Sequence, residues 1–379
     1  MRVAVAGTLG SILDRMTQST PRALRIYAGP KARAHIQEHG LLPAHINVIP
    51  GAAGGPKGLI LGPLDRLLFG DWLPKSEQPI HLVGASIGAW RMATACLSSP
   101  VEGFIRLERD YVHQDYPLKP GQKRPTARQV SESFQENLQS FYSGRIAEVL
   151  HHPRYRLHVL CSRGKHLLRQ EHSLFTPIGY MMAYLSNALS RRWLGLWLER
   201  TVFSSSGAVG LLDTPFATGD FPSLNLTLTE QNFLQAVQAS CSIPFALQAV
   251  PAIAGAPAGA YWDGGITDYH LHLDYRGLVL YPHFQRAVIP GWLDKQLKSR
   301  HRPTEFLDNT ILLAPDPSWI DRLPNRKLPD RTDFVTYSND LQSRIRNWKT
   351  AISESQRLAD EFSAWLARPD PDVVEPLSS

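Results

Sequence analysis

IHLVGASIGAWRMATACL, residues 80–97, decides how this chain is read. Residues 80–83 form a short apolar run of strand type, residues 84–88 a tight glycine-bounded turn, and residues 89–97 a small and apolar stretch suited to a buried helix. The same order appears just upstream. Residues 46–50 (INVIP) predict a buried strand, residues 51–58 a glycine-rich turn, and residues 59–69 an apolar helical segment. Two strand-loop-helix units in succession predict an α/β fold with a mainly parallel central sheet flanked by helices. Further strands are expected at 156–161, 224–228, 260–262, 277–281 and 310–313. An amphipathic helix or helix pair is expected over 338–366, where Leu341, Ile345, Trp348, Ile352 and Phe362 keep helical register. No internal repeat is present.

The turn at the centre of the first stretch is Gly84-Ala85-Ser86-Ile87-Gly88, which fits G-x-S-x-G between a strand and a helix. A serine on such a strained turn exposes its hydroxyl at the carboxyl edge of the sheet, and glycines two residues to either side leave room for the crowding. Gly54-Gly55-Pro56-Lys57-Gly58 also follows a strand, and its amides are candidates to face a developing oxyanion. A phosphate-binding P-loop needs Gly-Lys-Ser/Thr in succession, which Pro56 and Gly58 break. A purely structural glycine turn is the other reading of this loop. Asp263-Gly264-Gly265 places a carboxylate at the end of an apolar strand, although Asp-Gly is also a common turn dipeptide.

These blocks occur in the order glycine loop, serine elbow, Asp-Gly-Gly, and in that order the chain resembles the patatin-like phospholipase family. The resemblance spans roughly residues 46–270. It matches Gly54, Gly55, Lys57 and Gly58 to the family's oxyanion loop, Gly84, Ser86 and Gly88 to its elbow, and Asp263, Gly264 and Gly265 to its Asp-Gly-Gly/Ala motif. A fourth block, Ala-Ser-x-Ala-x-Pro, is recognisable in Ala239-Ser240-Cys241-Ser242-Ile243-Pro244, with Ser242 standing where the family has alanine. The resemblance implies a three-layer patatin-like fold and a lipid acyl hydrolase working through a Ser86–Asp263 dyad, with no cofactor and no metal. Ala52-Ala53 departs from the usual Asp-Gly opening, and Pro56 cannot donate an N–H. Two other functions stand beside this one. An α/β-hydrolase triad would draw its base from His270, His272, His283 or His301, all of which follow Asp263, and a catalytically idle lipid-binding protein would keep the fold alone.

Composition bounds the rest. With 379 residues, 43% of them hydrophobic, the chain can bury a large core. The expected organisation is an N-terminal extension over 1–45, a catalytic domain over 46–285, and a helical C-terminal extension over 286–379 whose last residues, from 368, are unfolded. Cys96, Cys161 and Cys241 are odd in number and far apart, which fits a reducing, cytoplasmic setting. The apolar run 3–13 lacks a small-residue cleavage site after it, which argues against export. No uncharged run reaches the ~18 residues that span a bilayer. The net charge of +6 favours anionic partners, but the basic clusters at Lys119, Lys123, Arg124 and Arg128 and at Lys295, Lys298, Arg300 and Arg302 match no nucleic-acid motif and read as solvated faces. The expected partners are a lipid or other ester substrate and, through the apolar segment 179–203 with Arg191, Arg192 and Arg200, an anionic membrane surface. A lid or a core helix is the alternative for that segment.

Overall fold

The computed structural model describes residues 22–118, 120–122, 124–206 and 214–377. The apolar run 3–13, together with Lys119 and Lys123 of the first basic cluster, lies outside the described residues. One ten-stranded sheet organises the chain. Its strands are β1 (Leu24–Ala28), β2 (Ile46–Gly51), β3 (Ile80–Ala85), β4 (Tyr155–Gly164), β5 (Leu198–Ser205), β6 (Ser223–Leu228), β7 (Tyr261–Asp263), β8 (Leu278–Pro282), β9 (Thr310–Pro315) and β10 (Val374–Pro376). They lie in the order β10-β1-β9-β8-β2-β3-β4-β5-β6, with β7 paired to β4 off this path. Pairing is antiparallel at β1/β9, β4/β5 and β4/β7, and parallel elsewhere. The central strands are buried on both faces, which explains why β2, β3 and β9 read as apolar runs rather than alternations.

The helix after β3, Ile87–Ala95, is buried along its whole length. Its Trp90 meets Phe134 and Phe141 of the helix Ala127–Tyr142 edge-on, with ring centroids 5.6 and 5.5 Å apart. Arg91 reaches back to Asp65 on the helix Gly62–Leu67 through two 2.7 Å hydrogen bonds, and both side chains are buried. This pair ties the helix behind the glycine loop to the helix behind the serine elbow. Removing one member leaves the other charge buried without a counter-ion, so Asp65→Ala is expected to lower stability by about 3–5 kcal/mol. A urea titration checks it, and a midpoint unchanged from the parent would contradict the role given to the pair.

Two sequence expectations need correction. The tail expected to be unfolded from residue 368 instead forms a short turn, Pro371–Val373, and then β10, whose Val374 and Glu375 pair with Ile26 and Tyr27 of β1. The parallel edge of β1 supplies backbone partners that composition does not reveal. The segment 179–203 is neither one interfacial helix nor one core helix. It contains most of the helix Phe175–Leu189, the short helix Arg191–Leu194, and most of β5, which is bonded between β4 and β6. The sheet also draws β1 from the first 45 residues and β9 and β10 from residues after 285. The C-terminal helical stretch forms two helices, Leu341–Glu354 and Gln356–Ala367. The second buries Leu358, Ala359 and Phe362, and Phe362 meets Trp72 at 6.3 Å.

Candidate active site

Register explains why Ser86 and Asp263 come together. β3 pairs with one edge of β4 as far as Ala85 opposite Leu160. From Cys161 onward that edge is taken over by β7, with Asp263 opposite Cys161, while β5 keeps the other edge throughout. The residue that follows β3 is Ser86, so the serine and the aspartate meet where one strand ends and the other takes its place. Ser86 has φ 57° and ψ −131°, a backbone conformation that a non-glycine residue holds only under strain. Its amide donates to Ser240 Oγ at 2.9 Å, and that hydroxyl donates to Leu160 O at 2.7 Å. Ser240 therefore clamps the elbow to β4, a role for the Ala239–Pro244 block that the motif itself does not disclose. Gly88 is required by proximity, because a Cβ there would stand 1.7 Å from Gly51 O at the end of β2.

Asp263 is 5% exposed. Its Oδ1 accepts the Gly265 N–H at 2.7 Å, its amide donates to Ser242 O, and its carbonyl accepts Ser162 Oγ, each at 2.9 Å. Oδ2 closes no hydrogen bond of good geometry. The Ser86 hydroxyl is nevertheless near enough to be one of the groups that favour the charged carboxylate. Burial raises the carboxyl pKa above the ordinary value, and Arg331, Ser86, the Gly265 amide and Lys295 oppose that rise. Lys295 lies 4.1 Å from the centroid of the Tyr269 ring, and burial, with Arg331 and Lys57 nearby, brings its pKa down to about 8. In sequence Lys295 belongs to a basic cluster that reads as a solvated face. Arg331 carries no sequence signal of its own, because nothing local in residues 330–333 points to a site some seventy residues upstream.

In the glycine loop the left-handed residue is Gly55, at φ 56°, so Ala52 and Ala53 need no positive φ. Ala53 instead donates its amide to Tyr269 O at 2.9 Å. A Cβ on Gly55 would lie 3.1 Å from Arg331 Nε and 3.5 Å from the Tyr111 hydroxyl. The four loop residues expected to act together are not equivalent. Gly55 lines the same cavity as Ser86, whereas Gly54 packs on the Phe284 ring, Gly58 on Ile87, and the Lys57 ammonium lies over Phe284 at 5.4 Å from its centroid. That cavity has a volume of about 590 Å³. Its lining includes Trp90, Tyr111, Phe134, Ile243, Phe245 and Arg331.

The histidines that a triad would need are engaged elsewhere. His270 Nδ1 accepts the Ile289 N–H at 3.0 Å, and His283 Nδ1 accepts the Gln285 N–H at the same distance. His272 meets Thr304 Oγ1 and His301 meets Asp294 O, both at 3.0 Å. None of the four lines the Ser86 cavity. Burial holds the pKa of His270 far below the usual imidazole range and that of His283 down at about 3, so both are neutral core residues.

The fold is thus a mixed α/β layer structure with a strained, glycine-bounded serine turn at the carboxyl end of a central strand. No protein-family model matches the chain, and no curated protein matches it. Among solved structures, the chain is similar to VipD from Legionella pneumophila, with 14% sequence identity and a TM-score of 0.33 over 93% of this chain and 73% of that one.

Proposed function

We propose that this protein is a lipid acyl hydrolase that cleaves carboxylic esters through Ser86 and Asp263. The observation that carries the proposal is the register at β4, which sets a strained serine beside a buried carboxylate having one unsatisfied oxygen. Asp263 Oδ2 takes the Ser86 proton as Oγ attacks the ester carbonyl. The amides of the Gly54–Gly55 turn, near the start of the helical segment Gly55–Leu61, hold the oxyanion. Collapse of the tetrahedral adduct passes the proton from Asp263 to the departing alcohol and leaves an acyl-Ser86 ester. Water, deprotonated by Asp263, then releases the acid and restores the serine. The apolar walls of the 590 Å³ cavity suit an acyl chain.

Purified protein with a fluorogenic short-chain ester, assayed before and after a serine-directed organophosphate, tests the reaction class. Expected are turnover, its loss on treatment, and a phosphoryl adduct located on Ser86 by mass spectrometry. A fully active adduct, or an adduct on another serine, would refute the assignment.

The pH profile carries a second expectation. Asp263 acts as base only when ionised, and its pKa is raised, so as pH falls through that pKa the base is protonated and turnover is lost. The acid limb of kcat/KM is therefore expected above the ~4 of an unperturbed aspartate. A limb at or below that value would mean the kinetically important carboxylate is a different, better solvated one.

A further inference from the structure

We infer that the outer face of the helix Phe175–Leu189, continued by Trp193 and Leu196, docks on an anionic lipid bilayer and brings the mouth of the Ser86 cavity against it. The inner face of this helix is buried through Thr176, Gly179, Tyr180, Ala183 and Asn187. The outer face is apolar as well. Phe175, Met181, Met182, Leu185 and Leu189 are 47, 56, 38, 50 and 75% exposed, and they recur at the spacing that keeps one side of a helix together. Trp193 and Leu196 follow at 52 and 57% exposed. A helix apolar on both sides is normally covered on both sides, so this face is built to meet an apolar phase.

Charge and position select the partner. No acidic residue occurs between Glu171 and Glu199, and the two charged side chains in that stretch, Arg191 and Arg192, are both cationic. Arg191 turns inward to Asp294 at 3.2 Å, whereas Arg192 is exposed and has no ion pair among the described residues. An uncharged apolar face ending in an exposed arginine and tryptophan matches a surface of acyl chains beneath anionic headgroups. Among the described residues no helix is long and apolar enough to cross a membrane, so the contact is with the surface. The inner face of the same helix adjoins the cavity lining. Tyr180, on the same helix, meets Phe245 at 5.8 Å between ring centroids. Phe245 is 61% exposed at a strained φ of 68° and lines the cavity together with Ser86. A lipid leaving the bilayer beside this helix enters the cavity past Phe245.

The docking surface does not depend on hydrolysis, so it is tested in the Ser86→Ala protein by co-sedimentation with vesicles. One set is a mixture of phosphatidylcholine and phosphatidylserine, the other phosphatidylcholine alone. Tighter binding to the mixed vesicles is expected, with a loss of ~10-fold or more for the double variant Met181→Glu/Leu185→Glu at an unchanged melting temperature. Arg192→Glu is expected to remove the preference for the mixed vesicles. Binding of the double variant equal to its parent, or no preference in the parent, would overturn the inference. So would a concentration-dependent dimer without vesicle binding that the double variant disperses, since the face would then belong to a second copy of this chain. With Ser86 intact, the double variant is expected to keep its turnover of a soluble short-chain ester and to lose turnover of ester embedded in vesicles. A chain inactive on the soluble ester but binding as described would refute the hydrolase and leave the docking face standing.

Discussion

Ester turnover in Ser86→Ala is expected to fall by ~10³-fold or more, because loss of the nucleophile removes both halves of the acyl-enzyme cycle at once. The protein itself should stay folded. Ser86 contributes to the fold through its backbone, whose amide is held by Ser240 Oγ and whose φ of 57° any side chain must tolerate. Alanine keeps the amide and the strain and leaves no cavity larger than the lost hydroxyl, so the melting temperature is expected to stay within about 2 °C of the parent. Glycine separates function from stability more sharply. Ser86→Gly is equally inactive, but it relieves a conformation that costs a side chain ~1–3 kcal/mol and is expected to melt higher than the parent. Residual turnover within a few-fold of the parent in either variant would place the nucleophile elsewhere. A fall in melting temperature for the glycine variant would show that the elbow is not under strain.

What sequence discloses here follows from how local each signal is. β2, β3 and their following helices are legible because buried parallel strands are continuous apolar runs closed by glycine turns, as at 46–51 and 80–85. β5 is not legible in that way. Leu198 to Ser205 follows directly on the apolar run Trp193-Leu194-Gly195-Leu196-Trp197, and only pairing with β4 on one side and β6 on the other separates strand from helix. β10 is shorter still, and its Val374 is apolar among prolines and acids, so its partner β1 decides its conformation. Within the site, Ser86, Gly55 and Asp263 are found from motif spacing. The roles of Ser240, Arg331 and Lys295 are not, because a clamp and two cations acquire them from neighbours 26 to 154 residues away along the chain. Lys295 illustrates the limit well. In sequence it belongs to a basic cluster, while in the fold it stands over Tyr269 with its pKa down at about 8 beside Asp263.

Asp263→Asn should be as inactive as Ser86→Ala yet no less stable, and this pairing of outcomes distinguishes a dyad from a triad. Asparagine keeps an Oδ1 able to accept the Gly265 N–H, so the local turn survives. It removes a buried charge whose folded-state pKa lies above the ordinary carboxylate value. A raised folded pKa means that the native state binds the proton more tightly than the unfolded chain. The ionised group therefore penalises folding above that pKa, and the penalty disappears below the unfolded pKa near ~4. The melting temperature of Asp263→Asn should accordingly equal or exceed that of the parent at neutral pH, with the difference closing as pH falls through the acid range. Arg331 and Lys295 set the size of the gain, since both favour the charge that the variant lacks. In a triad the deciding residue is instead a histidine, and deleting it costs nearly as much as deleting the serine. His270→Ala and His283→Ala open space in the core and call for a folding check, while His272→Ala and His301→Ala give up a single hydrogen bond each. All four, where folded, are expected to keep turnover within a few-fold of the parent. Loss of several orders of magnitude in any folded histidine variant, or retention of activity in Asp263→Asn, would transfer the proton-accepting role from Asp263 to that histidine.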